Sequence, residues 1–419
     1  MDQVYLPQLS ASLLSGKRIL LGVTGSIAAY KAVSLASMLT KAEALVDVIM
    51  TRAATEFVSP LTFHSVTGRQ AYTDKDLWGE AAHVLHVELA RKADLYLVAP
   101  ATANTIAKLA HGEADSLLSL AALAVDCPLV IAPAMDAGMY QHPSVQENVA
   151  KLKEWGVRVA GPAEGRMASG LKGLGRLLEP EALMGHVRLA LGAEGSMQEY
   201  HVLITAGGTQ EPLDPVRSLT NRSTGKQGFA LAQAALDRGA QVTLIAGPTP
   251  LPAPIGADRI DVETTADMQA AVQRSLNQAD VLIMAAAVAD FKPSERAGEK
   301  IKKADGVPAL SLERTVDILA DIGTERKQSG RPAVLVGFAA ESEAIEENAR
   351  GKLQAKGLDL IVANDISAAD SGFAVDTNRV TIIDAEGSLQ SLPLLSKMEV
   401  AERVLERVED LLNNLRLSS

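Results

Sequence analysis

The chain has 419 residues, of which 47% are hydrophobic and 22% charged, enough for two domains with aliphatic cores because aromatics make up only 3%. Its 40 basic and 51 acidic residues leave a net charge of -11, and no basic run is interleaved with aromatics, which argues against a nucleic-acid surface. Cys127, the one cysteine, excludes an intramolecular disulfide framework and a cysteine zinc site.

The first residues, MDQVYLPQLSASLL, carry neither a signal-peptide nor a transit-peptide pattern, and no apolar run nears the roughly 18 residues of a membrane span. A soluble cytoplasmic protein with no membrane contact is expected. From Lys17 the chain alternates apolar runs with amphipathic stretches: RILLGV, IAAYKAVSLASMLTK, ALVDVIM, ADLYLVAP, CPLVIAPAM and VRVAG. That rhythm predicts parallel strands wrapped by helices, with Cys127 as a buried core thiol. LGAEGSMQ interrupts it, so a linker is expected over 193–199, between a first domain at 1–192 and a second at 200–419.

The second half repeats the pattern in HVLITAGG, FALAQAALDRGA, QVTLIAG, ADVLIMAAAVAD, AVLVGFAAE and LDLIVAND, and RVTIIDAEGSLQSL reads as a hairpin turning at DAEG. RILLGVTGS echoes HVLITAGGT, and ADLYLVAPATA echoes ADVLIMAAAVAD. The fold class expected is α/β, two doubly wound, mostly parallel Rossmann-like domains, with ligands at the carboxyl ends of the strands.

In LGVTGSIAAYK, Gly25 permits a close backbone approach and Ser26 opens a helix whose free N–H groups suit a phosphate; a plain strand-to-helix turn explains the same residues. Small polar residues at further strand ends (Thr51, Thr102 and Asn104 in PATAN, Met135 and Asp136 in PAMD) suggest a flat aromatic ligand lying against backbone. His83 and His86 stand i, i+3 on an expected helix, but no third ligand is spaced with them. His86 is open to a structural or a general-base role.

The run EGRMASGLKGLGRLLEP, residues 164 to 180, is either a flap or a solvated connector. In the second half, TAGGTQEPLDPVRSLTNRSTGKQG, with Arg217, Arg222 and Lys226, can enfold a phosphorylated ligand. The cluster Lys300, Lys302 and Lys303 suits a triphosphate or a solvated face. Neither a G-x-G-x-x-G fingerprint nor a Walker sequence is present.

GVTGSIAAYK, HVELARKADLYLVAPATANTIAKLAHG, IAPAMDAGMY and GLGRLLEP, in that order, resemble the flavin-dependent cysteine decarboxylases, and the second half resembles the phosphopantothenate-cysteine ligases. Together they are similar to the bifunctional enzymes of coenzyme A biosynthesis. The resemblance implies FMN held by Gly25, Ser26, Thr51, Thr102, Asn104 and Met135, His86 as catalytic base, Arg91 on the substrate phosphate, and the PAMDAGMY loop on the substrate carboxylate. It implies oxidation by the flavin to a thioaldehyde, loss of carbon dioxide to an enethiol, and reduction to 4'-phosphopantetheine.

Two positions depart from the family pattern. Ala168-Ser169-Gly170 stands where the family has a cysteine proton donor, and Asp136 where it has Asn. A serine is a poor acid near neutrality, and an anionic Asp136 repels a carboxylate unless it is protonated or paired with a cation. An active ligase whose first domain stops at the enethiol, or serves only in oligomerisation, is therefore the alternative.

For the second half, the resemblance implies activation of 4'-phosphopantothenate by CTP, with Mg2+ or Mn2+, as an acyl-cytidylate that the amine of cysteine attacks. Asn221 is implied to bind the acyl intermediate, Lys300 to act at the reactive phosphate, and Ala286, Asp290, Phe338, Lys352 and Lys356 to bind CTP. Trimers of the first domain and dimers of the second would build a homododecamer.

Overall fold

The computed structural model describes residues 11–78, 84–166, 170, 172–302, 309–341, 343–365 and 375–418. The chain divides into two compact units, Ser10–Gly192 and Ala193–Ser419.

The apolar runs of the first unit form β1 (Arg18–Val23), β2 (Leu45–Met50), β3 (Ala71–Thr73), β4 (Leu95–Ala101), β5 (Leu129–Pro133) and β6 (Arg158–Val159), a sheet in the order β3-β2-β1-β4-β5-β6 with every pairing parallel. Parallel strands are covered on both faces, so they read as unbroken apolar runs rather than alternating ones. Leu20, Ile49, Val98 and Ile131 meet in one core cluster. The helix Ala29–Lys41 buries Ala32, Leu35, Ala36 and Leu39 at helical spacing. Cys127 is half-buried against this cluster rather than inside it, and burial pushes its thiol up to about 11.

The glycine-rich run forms an antiparallel hairpin, β7 (Ala163–Arg166) with β8 (Lys172–Arg176). Its tip, including the expected proton-donor position Ser169, lies outside the described residues, as do His83 and Lys303.

The second unit runs β9 (His201–Ala206), β10 (Gln210–Pro212), β11 (Ser218–Thr220), β12 (Gln241–Ala246), β13 (Ala257–Asp261), β14 (Val281–Met284), β15 (Phe291–Pro293), β16 (Leu312–Arg314), β17 (Val334–Glu341), β18 (Leu360–Asp365), β19 (Thr377–Asn378), β20 (Val380–Asp384), β21 (Leu389–Ser391) and β22 (Leu395–Ser396). Its main sheet has the order β13-β12-β9-β14-β17-β18-β20-β21. The first six strands repeat the topology of the first unit, and the last two add an antiparallel hairpin whose turn is the DAEG segment.

Residues 193–199, expected as a linker, group with this unit: Met197 is fully buried and its N–H donates to Arg238 O at 2.8 Å. Among the described residues no helix is long and apolar enough to cross a membrane.

Candidate active sites

In both units the strand order reverses beside the first strand, which opens a crevice at the carboxyl ends of that strand and of its neighbour across the reversal. In the first unit that point lies between β1 and β4. Thr24, buried just after β1, ties the two together: its hydroxyl donates to Pro100 O at 2.6 Å and accepts from the Thr102 N–H at 3.1 Å. Sequence reading passed over Thr24, although a threonine between GV and GS at a strand end is its signal.

Around this tie stand the expected cofactor residues. Gly25 must lack a side chain, because a Cβ there would lie 2.4 Å from Ala53 Cβ. Thr51 caps the turn Arg52–Thr55, accepting from the Ala54 N–H at 3.3 Å, and Thr102 caps Ala103–His111, accepting from the Thr105 N–H at 3.4 Å. Asn104 is exposed in the first turn of that helix.

Ser26 sits earlier than expected: the helix begins at Ala29, and the Ser26 hydroxyl accepts from the Ala28 N–H at 3.2 Å. The N-cap position itself is Ala28, which has no side-chain acceptor, and the Ala29 and Lys31 N–H groups donate only to the backbone, to Ser26 O at 2.9 Å and Ala28 O at 3.0 Å. A helix start without a side-chain cap suits an anion.

The hairpin packs on the PAMD segment. The Met135 N–H donates to Gly175 O at 3.0 Å, and a Cβ would lie 2.4 Å from Met135 O at Gly175 and 2.8 Å from Ala137 Cβ at Gly173. Two of the four glycines in residues 164 to 180 are thus demanded by contact rather than by a turn. The hairpin's exit is fixed by buried Lys31, which donates to Leu177 O at 3.1 Å and pairs with Glu179 at 3.0 Å.

Asp136 caps Ala137–Tyr140, its Oδ1 accepting from the Gly138 N–H at 3.0 Å. His86 and Arg91 share the helix Leu85–Lys92, five residues and hence about 140° apart around its axis, so they do not face one way. His86 is partly buried and Arg91 exposed.

In the second unit the crevice is a cavity of about 690 Å³, lined by Asn221, Ala286, Asp290, Phe338, Lys352 and Lys356 among others. The loops after β9 and β14 are laced together there. The Ala287 N–H donates to Gly207 O at 2.8 Å, the Ala289 N–H to Thr209 Oγ1 at 2.9 Å, and Asn221 Nδ2 to Ala287 O at 3.0 Å and Val288 O at 3.2 Å. Asn221 is thereby held by its amide nitrogen.

Gly225, at φ +84, begins the helix Lys226–Leu236, which also lines the cavity; a Cβ on Gly228 would meet Ala206 Cβ at 2.5 Å. The start of this helix therefore lies close on β9.

Lys352 pairs with Glu341 at 2.6 Å and Lys356 with Asp317 at 2.8 Å. Both carboxylates went unread in the sequence; Glu341, the last residue of GFAAE, carries the only local signal. Lys397 is a further lining residue, buried at 4% exposure, and burial together with the nearby Lys226 charge lowers its ammonium to about 8 against the attraction of Asp376. Nothing in SKMEV announces it.

Lys300 is exposed and does not line the cavity. Its neighbour Ile301 is anchored, the N–H donating to Asp214 Oδ2 at 3.2 Å and the carbonyl accepting from Arg217 at 3.4 Å. Among the described residues no group of three or more His, Cys, Asp or Glu could hold a metal ion.

The family described as Flavoprotein matches residues 8–190, and the DNA/pantothenate metabolism flavoprotein C-terminal domain matches residues 197–412. The chain is 47% identical to the coenzyme A biosynthesis bifunctional protein CoaBC of Bacillus subtilis (strain 168), over 94% of this chain and 97% of that protein. With the protein of the same name from Vibrio cholerae serotype O1 it shares 44% identity over 95% of this chain and 99% of that one. The crystal structure of the C-terminal domain of a CoaBC protein, 39% identical, covers 52% of this chain and 99% of its own with a TM-score of 0.45. From its first unit to its second, the chain belongs to the family of bifunctional coenzyme A biosynthesis proteins.

Proposed function

We propose that residues 200–419 join cysteine to 4'-phosphopantothenate and that residues 1–192 decarboxylate the product to 4'-phosphopantetheine. The chain is an enzyme of coenzyme A biosynthesis with ligase and decarboxylase halves, the latter a flavoprotein. What carries the assignment of chemistry is the coincidence of each half's polar strand-end residues with the switch point of its sheet, above all the second-unit cavity that gathers Asn221, Ala286, Asp290, Phe338, Lys352 and Lys356.

In that cavity CTP activates the pantothenate carboxylate as an acyl-cytidylate, with CMP and pyrophosphate as products. Amide N–H groups at the start of Lys226–Leu236 meet phosphate charge, Asn221 holds the acyl intermediate, and Lys300 comes to the reactive phosphate from its anchored segment. With no group of three or more metal-ligating side chains among the described residues, Mg2+ or Mn2+ enters as a complex with the triphosphate.

In the first unit the residues fit FMN: the uncapped start of Ala29–Lys41 suits its phosphate, and Thr51, Thr102, Asn104 and Met135 offer the strand-end shelf for a flat ring. FMN supplies the hydride acceptor and donor for the oxidative decarboxylation. His86 takes the proton that leaves with the oxidation, and Arg91 holds the substrate phosphate. Exposed Ile27, Tyr30, Phe57 and Leu61 supply apolar surface near this shelf, which supports trimers of the first domain. With dimers of the second, these give a cytoplasmic homododecamer.

Asp136 favours a second reading. As a helix cap its carboxylate accepts the Gly138 N–H at 3.0 Å, which fixes an acidic side chain where a substrate carboxylate is expected. With Ser169 in the donor position, the first unit would then stop at the enethiol. Incubation of the FMN-loaded chain with 4'-phosphopantothenoylcysteine, followed by mass spectrometry, separates the readings. Saturated 4'-phosphopantetheine supports the complete decarboxylase. Accumulated enethiol, converted onward at least tenfold faster by Ser169→Cys, supports the second reading, and no turnover in either leaves the ligase alone.

A further inference from the structure

Lys352 and Lys356, two of the four lysines that line the second unit's cavity, are unusual for a nucleotide site because each already has a carboxylate. Lys352 and Lys356 stand i, i+4 on the helix Ile345–Lys356, close enough to repel each other. Glu341, at 9% exposure and not itself a lining residue of the cavity, holds Lys352 at 2.6 Å and also accepts from Asn348 Nδ2 at 3.4 Å. Asp317 holds Lys356 at 2.8 Å and is itself fixed as the cap of Ile318–Ser329, accepting from the Ala320 N–H at 3.1 Å.

A lysine so paired adds little net charge, yet it keeps N–H groups to donate in a fixed direction. Both lysines also lie in the C-terminal turns of their helix, where the backbone dipole is negative and opposes a polyphosphate. The helix Lys226–Leu236 presents the opposite, N-terminal end to the same cavity. Phe338, half-buried on the wall, supplies a flat apolar surface for a base.

We propose that Glu341 is a positioning residue that, together with Asp317, turns Lys352 and Lys356 into charge-compensated donors reading the base and sugar of the nucleotide, while its triphosphate is met at the start of Lys226–Leu236. The proposal rests on the reading of this cavity as the CTP site.

Titration calorimetry with CMP, CDP and CTP, in excess magnesium, on the full chain and on Glu341→Gln tests it. The expected result is that the variant weakens all three by one common factor, about tenfold, at low and at high salt. A penalty that grows with each phosphate, a selective tightening of CTP by the freed Lys352, or no change in any would overturn it. If Glu341→Gln does not fold, Lys352→Gln, at a half-exposed position, gives the comparison in its place: one common weakening of all three supports the base-and-sugar role, and a penalty that grows with each phosphate, or no change in any, overturns it. Failure of the parent chain to bind any of the three would instead remove the CTP reading, and the proposal with it.

Discussion

Lys397 shows how a single buried cation couples the second unit to pH. Its ammonium titrates near 8 rather than at the usual 10.5, first because burial strips its water and second because Lys226 lies nearby, with Asp376 opposing both. The sign follows from linkage. Between about pH 8 and the unfolded value the unfolded chain holds a proton that the folded chain has released, so stability rises with pH across that window and the penalty, on the order of 2–3 kcal/mol, is present in full below it. Lys397→Met should therefore unfold at higher urea than the parent at pH 7, and the parent's gain in midpoint between about pH 8 and pH 10 should vanish in the variant. A gain that persists in Lys397→Met would show that another group titrates there.

At the scale of elements, Asp214 links two loops that the sequence leaves far apart. Its carboxylate is buried, which opposes ionisation, but the N–H groups of Val216 and Arg217, each at 2.8 Å, the Ile301 N–H at 3.2 Å and the Arg217 guanidinium at 3.4 Å outweigh burial and hold it below the ordinary carboxylate range. Its contribution is therefore present above the unfolded value and lost only in stronger acid, as pH falls through the lowered one. Asp214→Asn, which keeps the shape and removes the charge, should free the Lys300 segment. Ligase turnover should fall about tenfold, and the Ile301 amide should lose hydrogen-exchange protection; unchanged protection would sink the anchoring role. The strands on either side of such loops were legible as continuous apolar runs because parallel strands bury both faces. The anchors were not, since Asp214 meets Ile301 across 87 residues and Lys356 meets Asp317 across 39, and no local period encodes such pairings. The same holds for Gly173 and Gly175: the sequence reads there as a flap or a solvated connector, whereas steric contact with Ala137 and Met135 is what requires these two glycines.

At the scale of the whole molecule, the internal echo in the sequence carried most of the architecture. RILLGVTGS and HVLITAGGT became the central strands of two sheets with one strand order, and the runs ending in PATA and AAVAD became their switch-point neighbours. Composition spoke less clearly where the halves meet, because polar and glycine residues at 193–199 look like a linker whether or not they pack. Here they pack on the second unit: Met197 is fully buried, a Cβ on Gly195 would lie 2.4 Å from the Arg238 carbonyl carbon and oxygen, Ser196 donates to Glu409, and Glu199 pairs with Arg416 at 2.6 Å. A ligase fragment that starts at 193 should therefore fold with the stability of that half in the intact chain. One that starts at 200 loses the Met197 side chain, whose burial is worth about 2–3 kcal/mol, and should melt about 5 to 10 °C lower. Because none of these contacts reaches the cavity residues, both fragments should keep ligase turnover within about twofold below their melting points. Equal melting temperatures would mean that 193–199 is a tether after all, and a selective loss of turnover in the shorter fragment would mean that the packed segment supports the cavity as well as the fold.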